Sequence, residues 1–133
     1  GLPAIAFSLA SSEHKHFDTA SIIAKQIVTS VLHSSFAPST ILNVNIPDIP
    51  YDDIQGFEVT RLGTRHCAEP TIKQKDPRGN TIYWVGPAGQ EADAGEGTDF
   101  HAIHNNKVSI TPIRIDLTHY DEIQRLSQWV KEL

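Results

Sequence analysis

Methionine is absent from this 133-residue chain, and cysteine occurs once, at Cys67. A lone cysteine closes no internal disulfide and has no partner for a cysteine-based zinc site. It favours a reducing compartment and reads as a small apolar strand residue. The chain begins Gly1-Leu2-Pro3 and contains no Met, as expected of a processed product or a piece of a longer protein. No basic stretch followed by an apolar one opens it, so no secretory signal is read there. Fully apolar runs are only a few residues long, such as Ala4-Ile5-Ala6-Phe7. A membrane span needs about 18. Basic residues are outnumbered, 11 against 16 acidic, for a net charge of −5. Nucleic-acid binders carry a basic patch or stripe. Here Lys and Arg are scattered, apart from Lys73, Lys75 and Arg78. Neither nucleic acid nor membrane is therefore an expected partner, and the expected location is cytoplasmic. One local positive site is enough for a small phosphorylated ligand, so that class stays open.

What is present reads as a folded chain. With 8 Gly and 8 Pro the composition is ordinary, which excludes collagen-like and low-complexity classes. The apolar stretch from Pro3 to Leu9 reads as a buried strand of a parallel sheet. From His16 the period changes: Phe17, Ala20, Ala24, Ile27, Val28, Val31 and Leu32 recur at three and four residues, one face of a helix ending before Pro38. Leu42, Val44 and Ile46 then alternate with Asn43 and Asn45 until Pro47. Strand, helix and strand at this spacing predict a βαβ unit.

Phe57 to Leu62 reads as a further strand. Arg65 to Lys75 and Thr81 to Gly86 read as polar strands around Asp76-Pro77-Arg78-Gly79-Asn80, where Pro sets φ and Gly and Asn tolerate positive φ. This hairpin carries Tyr83 and Trp84 but few aliphatic residues, so it is expected to project and lean on something else. Residues 89–97 read as an aperiodic loop. Thr98 precedes a short helix stopped by Asn105-Asn106. Val108 to Ile115 reads as a strand whose Pro112 marks an edge or bulge. Thr118 reads as the cap of a last helix with Ile123, Leu126, Trp129, Val130 and Leu133 on its apolar face.

The familiar catalytic patterns are missing. Counted from Glu91, the acidic loop has Glu96 where a calcium-binding EF-hand needs Gly, and Ala102 where it needs Glu, so Glu91, Asp93, Glu96 and Asp99 read as a solvated loop, the alternative being a functional loop near a site. His101 and His104 are three apart with no Glu between them, unlike a zinc protease helix. They and His14 and His16 read as surface histidines. Neither a Gly-x-Ser-x-Gly elbow nor a Walker or Gly-x-Gly-x-x-Gly loop occurs.

Taken together, several segments resemble the SurE family (stationary-phase survival protein E), whose members are 5′/3′-nucleotidases. They are Gly1-Leu2-Pro3-Ala4-Ile5-Ala6-Phe7-Ser8, Leu42-Asn43-Val44-Asn45-Ile46-Pro47, Thr60-Arg61-Leu62-Gly63-Thr64-Arg65-His66, Asp76-Pro77-Arg78-Gly79, Tyr83-Trp84-Val85-Gly86-Pro87, Thr98-Asp99 and Val108-Ser109-Ile110-Thr111-Pro112. Each is weak alone; their joint order over essentially the whole chain carries the resemblance.

It implies an α/β, Rossmann-like three-layer fold with a projecting β-hairpin and a C-terminal helix, of which this chain is the C-terminal half. Residues 1–62 would belong to the α/β core and 63–88 to the oligomerisation hairpin. Residues 89–133 would supply the acidic loop, closing strand and last helix. The implied activity is divalent-metal-dependent hydrolysis of nucleoside monophosphates, with Mg or Mn. In the family an Asp-Asp pair, a Ser and an Asn hold the metal, and all four precede the segment that Gly1 begins. Asp52-Asp53 sits in a connection and is not that pair. No catalytic residue and no metal ligand is therefore assigned to this chain, which is expected to bind no metal and to be inactive alone.

The resemblance also implies a homo-oligomer, dimer or tetramer, joined through the hairpin and the C-terminal segment. Tyr83, Trp84 and Trp129 are the expected contacts, since aromatics suit interfaces. Arg65, His66 and Glu69 on the hairpin are candidates for reaching a neighbouring subunit's substrate opening, or else make ordinary interface or solvent contacts. The alternative is a standalone oligomerisation or binding module derived from such an enzyme.

Overall fold

The computed structural model describes residues 4–34, 39–67 and 70–133. Strand β1 (Ala4–Ala10), helix α1 (Phe17–Leu32) and strand β2 (Thr40–Pro47) form the expected βαβ unit. The two strands run parallel, from Ala4 opposite Ile41 to Ala10 opposite Pro47. Successive side chains of a strand point to opposite faces, and Leu42, Val44 and Ile46 all fall on one face and are buried.

α1 covers that face, but not with the predicted stripe. Thr19, Ile23 and Ile27 are buried and Val31 packs against the core, whereas Phe17, Val28 and Leu32 are exposed. The predicted positions spread over a wider arc than one sheet face covers. The row at i, i+4, i+8 and i+12 meets the sheet, and the flanking apolar residues fall outside it.

A single 3-10 turn at Tyr51–Asp53 holds Asp52 and Asp53 in the connection to β3 (Phe57–Val59). There follow β4 (Thr64–Arg65), β5 (Ile72–Lys75), β6 (Thr81–Trp84), β7 (Glu91–Asp93), α2 (Asp99–His104), β8 (Val108–Arg114) and α3 (Tyr120–Trp129). The main sheet has the order β1-β2-β8-β3, with β8 antiparallel to β2 and parallel to β3. β8 is thus central and adds Val108 to the core formed by Ile23, Ile27, Leu42, Val44 and Ile46. Pro112 lies beyond Ile110, the last residue that β3 pairs, so its missing N–H falls where β8 is locally an edge.

β3 is shorter than the predicted strand because the chain turns inward at Thr60. The Thr60 hydroxyl lies 2.7 Å from those of both Ser109 and Thr111. All three residues are buried, and they satisfy one another's polar groups. The long polar strand predicted from Arg65 is two strands: β4 pairs with β7, and β5 with β6. β7 lies inside the stretch predicted to be an aperiodic loop, and its three residues carry no periodicity that a sequence could show. Cys67 is exposed and lies outside the strands.

The β5–β6 hairpin forms as expected. Asp76 closes its turn by accepting from the N–H groups of Arg78 and Asn80, and Gly79 takes φ +85°. Its residues are almost all exposed, Tyr83 at 64% and Trp84 at 58%. α3 starts at Tyr120 rather than on a Thr118 cap; the Thr118 N–H instead donates to the Asp116 carboxylate. None of its residues is buried, and Ile123, Leu126 and Trp129 stand open in a row.

Candidate functional site

β1 and β2 end side by side, and in open α/β sheets ligands bind in the crevice beyond the carboxyl ends of the strands. A cleft of about 570 Å³ opens there. The end of β1 and the residues after it contribute Ala10, Ser11 and Ser12, and β2 contributes Asn45. β4 and β7 add Arg65 and Glu91, and α2 adds Asp99, Phe100, Ile103 and His104.

α2 is set by its cap. The Thr98 hydroxyl accepts from the His101 N–H at 3.1 Å and donates to the Gly95 carbonyl at 2.7 Å. This is the usual way a threonine satisfies the open N–H groups of a first turn. Asp99 accepts from the N–H groups of Gly63 (2.8 Å) and Phe100 (3.0 Å), which ties α2 to the segment before β4. Gly63 is required by close approach: a Cβ there would stand 2.5 Å from the Asp93 carbonyl and against the Phe100 ring.

The acidic residues predicted to be solvated are mostly engaged. Glu91 pairs with His104 at 3.3 Å. Asp93 meets both terminal nitrogens of the Arg61 guanidinium, at 2.5 and 3.1 Å, which holds its carboxyl below the usual range. Glu96 remains exposed. With Glu91 and Asp99 occupied locally, the cleft keeps one strong cation among its described lining residues. That cation is Arg65, whose guanidinium carbon sits 4.7 Å from the centroid of the Phe100 ring and whose Nη1 donates to the Gly89 carbonyl. His66, next to it, is exposed and does not line the cleft. Glu69 lies outside the described residues.

His16 is only half-buried, but it is bonded rather than free in solvent. Its Nδ1 lies 3.0 Å from the Asp48 carbonyl and 3.1 Å from the Asp48 carboxylate. Both partners only accept, so Nδ1 carries the hydrogen. Asp48 also accepts from the backbone N–H groups of Lys15 and His16, and these bonds, led by Lys15, hold its carboxyl far below the ordinary carboxylate range.

Among the described residues no three His, Cys, Asp or Glu side chains converge to hold a metal ion. The donors among the described residues do not fit a resident metal, so no step of a reaction is assigned to one held by them. Nor is any helix among the described residues long and apolar enough to cross a membrane.

Arg65, expected to reach a neighbouring subunit's opening, lines a cleft of this chain itself. Ser11, Ser12, Asp48 and Phe100 were not singled out from the sequence. Asn45 had a usable signal, a polar residue at the carboxyl end of a parallel strand. Asp48 had only its place just past that strand, because its partners lie more than 30 residues earlier.

The family described as Survival protein SurE matches residues 1–69. The chain is 56% identical over its whole length to a 5′-nucleotidase SurE of Coxiella burnetii, of which it spans 52%. It is also 56% identical to a 5′-nucleotidase SurE of Nitrosococcus oceani, spanning 53% of it. The chain thus has about half the length of the curated relatives it matches. The crystal structure of the SurE protein from Aquifex aeolicus superimposes on 97% of this chain and 52% of its own, with a TM-score of 0.75 and 38% identity.

Proposed function

The chain belongs to the SurE family, and on that premise we propose that it is the C-terminal part of a divalent-metal-dependent nucleotidase. The whole enzyme hydrolyses nucleoside 5′- and 3′-monophosphates to nucleoside and phosphate. The observation that carries the reading is the high identity, along the full length of this chain, to proteins named 5′-nucleotidase SurE. The cleft supports it: it opens at the carboxyl ends of parallel strands and pairs a guanidinium with serine hydroxyls and an amide. A guanidinium forks onto phosphate oxygens, and its planar face stacks on an aromatic ring. In this reading Arg65 draws the phosphorylated substrate in, while Ser11, Ser12 and Asn45 orient it. The Mg²⁺ or Mn²⁺ that would neutralise phosphate oxygens is held by residues outside these 133, and this polypeptide alone is inactive. The exposed free thiol of Cys67 agrees with a reducing, cytoplasmic location.

The second role is assembly. The hairpin and α3 present Tyr83, Trp84 and Trp129 to solvent on elements with little core of their own. Exposed aromatics in such a setting suit an interface between copies. The chain therefore contributes the joining surfaces of a dimer or tetramer.

Phosphate release from 5′- and 3′-nucleoside monophosphates, with Mg²⁺ or Mn²⁺, tests the activity in the whole protein and in this chain alone. Release by the whole protein only is the expected result. No release by either overturns the nucleotidase reading, and release by the chain alone overturns the division of labour.

A further inference from the structure

We propose that Asp48 is a positioning residue for this cleft, clamping the segment that carries Ser11 and Ser12 against the carboxyl end of β2. The inference rests on the nucleotidase reading above. The Lys15 N–H donates to both carboxylate oxygens, at 2.9 and 3.1 Å, and the His16 N–H to one of them at 2.7 Å. His16 Nδ1 binds the same residue at its carbonyl and its carboxylate. One side chain, 8% exposed, thus fixes the α1 end of the short segment between β1 and α1, starting three residues beyond Ser12.

Within the segment the Ser11 hydroxyl accepts only from the Glu13 N–H, which leaves the α1 end to Asp48. α1 starts without a side-chain cap, and among the described residues Asp48 supplies the charged acceptor for the N–H groups that lead into it. His14, inside the segment, takes φ +51°, a backbone conformation that persists only when its surroundings over-determine it. Asp48 is not among the residues lining the cleft, so it acts through those it holds. Asn45, three residues before it on β2, lines the cleft directly. The clamp therefore sets the spacing between the serine hydroxyls from one strand end and the amide from the other. Catalytic geometry tolerates little error: a displacement of about 1 Å can cost about 100-fold in rate.

The test uses the whole protein, with kinetics on a nucleoside 5′-monophosphate and thermal unfolding of the same samples. Asp48→Asn keeps the shape and removes the charge. It is expected to raise KM about 10-fold, the worth of one charge-assisted contact, with kcat changed less and the unfolding midpoint lowered at neutral pH. Ser12→Ala is expected to raise KM in the unaltered background and far less in Asp48→Asn, because the hydroxyl is no longer held in place. Unchanged KM and kcat in Asp48→Asn, or multiplicative effects of the two substitutions, overturn the clamp. Should Asp48→Asn fail to fold, Asp48→Glu moves the charge by one methylene; a raised KM supports the proposal and unchanged kinetics overturn it. Absence of hydrolysis by the unaltered protein overturns the nucleotidase reading, and the positioning role with it.

Discussion

Replacing Ile23 by alanine is the sharpest test of how α1 is oriented. Ile23 is fully buried and packs in the cluster with Ile27, Leu42, Val44, Ile46 and Val108. Truncation removes three carbons, worth about 0.8 kcal/mol each by transfer. A close-packed surround cannot collapse fully onto the space left, which brings the cost to about 3 kcal/mol, within the range of about 2–5 for such sites. Leu32 lies on the same helix and belonged to the face predicted from periodicity, but it is 77% exposed. With about a quarter of its surface covered, Leu32→Ala should cost about 0.5 kcal/mol. Urea unfolding followed by far-UV circular dichroism reads both. The Ile23 variant should fall well below the parent in midpoint at an unchanged slope, and the Leu32 variant should stay near it. In thermal unfolding the first shift should be about 10 °C or more for a domain of this size. Equal costs at the two positions would refute the placement of the buried row at Thr19, Ile23, Ile27 and Val31.

Three further outcomes are expected. Asp48, Asp76, Asp93 and Asp116 all have carboxyls held below their ordinary value of 3.8. The causes are, in turn, the Lys15 N–H, the Asn80 side chain, the Arg61 guanidinium and the Tyr120 hydroxyl. Their stabilisation is complete above that ordinary value and fades as pH falls through the lower folded values. Urea midpoints should therefore drop below about pH 4, and Asp48→Asn should flatten part of the slope; a midpoint independent of pH between 5 and 2 would contradict the network. Gly63→Ala should push β7 and Phe100 apart and raise KM in the whole protein, whereas Gly79→Ala in the hairpin turn, whose added Cβ meets nothing within 4 Å, should leave KM alone. Arg65→Ala should raise KM by about 10-fold, the worth of one charge-assisted contact, with oligomeric state unchanged. Sedimentation of the same samples, compared with Trp84→Ala and Trp129→Ala, separates a cleft role from an interface role.

Much of the fold was legible because its signals are local. The alternation in Leu42, Val44 and Ile46 needs only the pleat of one strand. The Asp76-to-Asn80 turn needs only the φ preferences of Pro, Gly and Asn, and the Thr98 cap needs only its own first turn. The misses share a cause. Which of several apolar stripes on α1 is buried depends on where the sheet lies. β7 exists because β4 lies beside it, and neither has enough residues to show a period. Thr118 looks like a cap in isolation, but the Asp116 carboxylate takes its N–H and the helix starts two residues later.

For the site the division is sharper. By itself the sequence determined the chain's family, through a set of short segments in a fixed order, and the βαβ unit that forms the base of the cleft. It also marked Arg65, by its place at the start of the hairpin. Only the tertiary structure decided what Arg65 faces, by pairing β4 with β7 and stacking the guanidinium on Phe100 from α2. Only it brought Asp48 to Lys15 and His16 across more than 30 residues. The physical reason is range. Strand period, turn chemistry and helix caps act within a few residues, whereas a cleft is made by side chains that meet after the sheet has set its order.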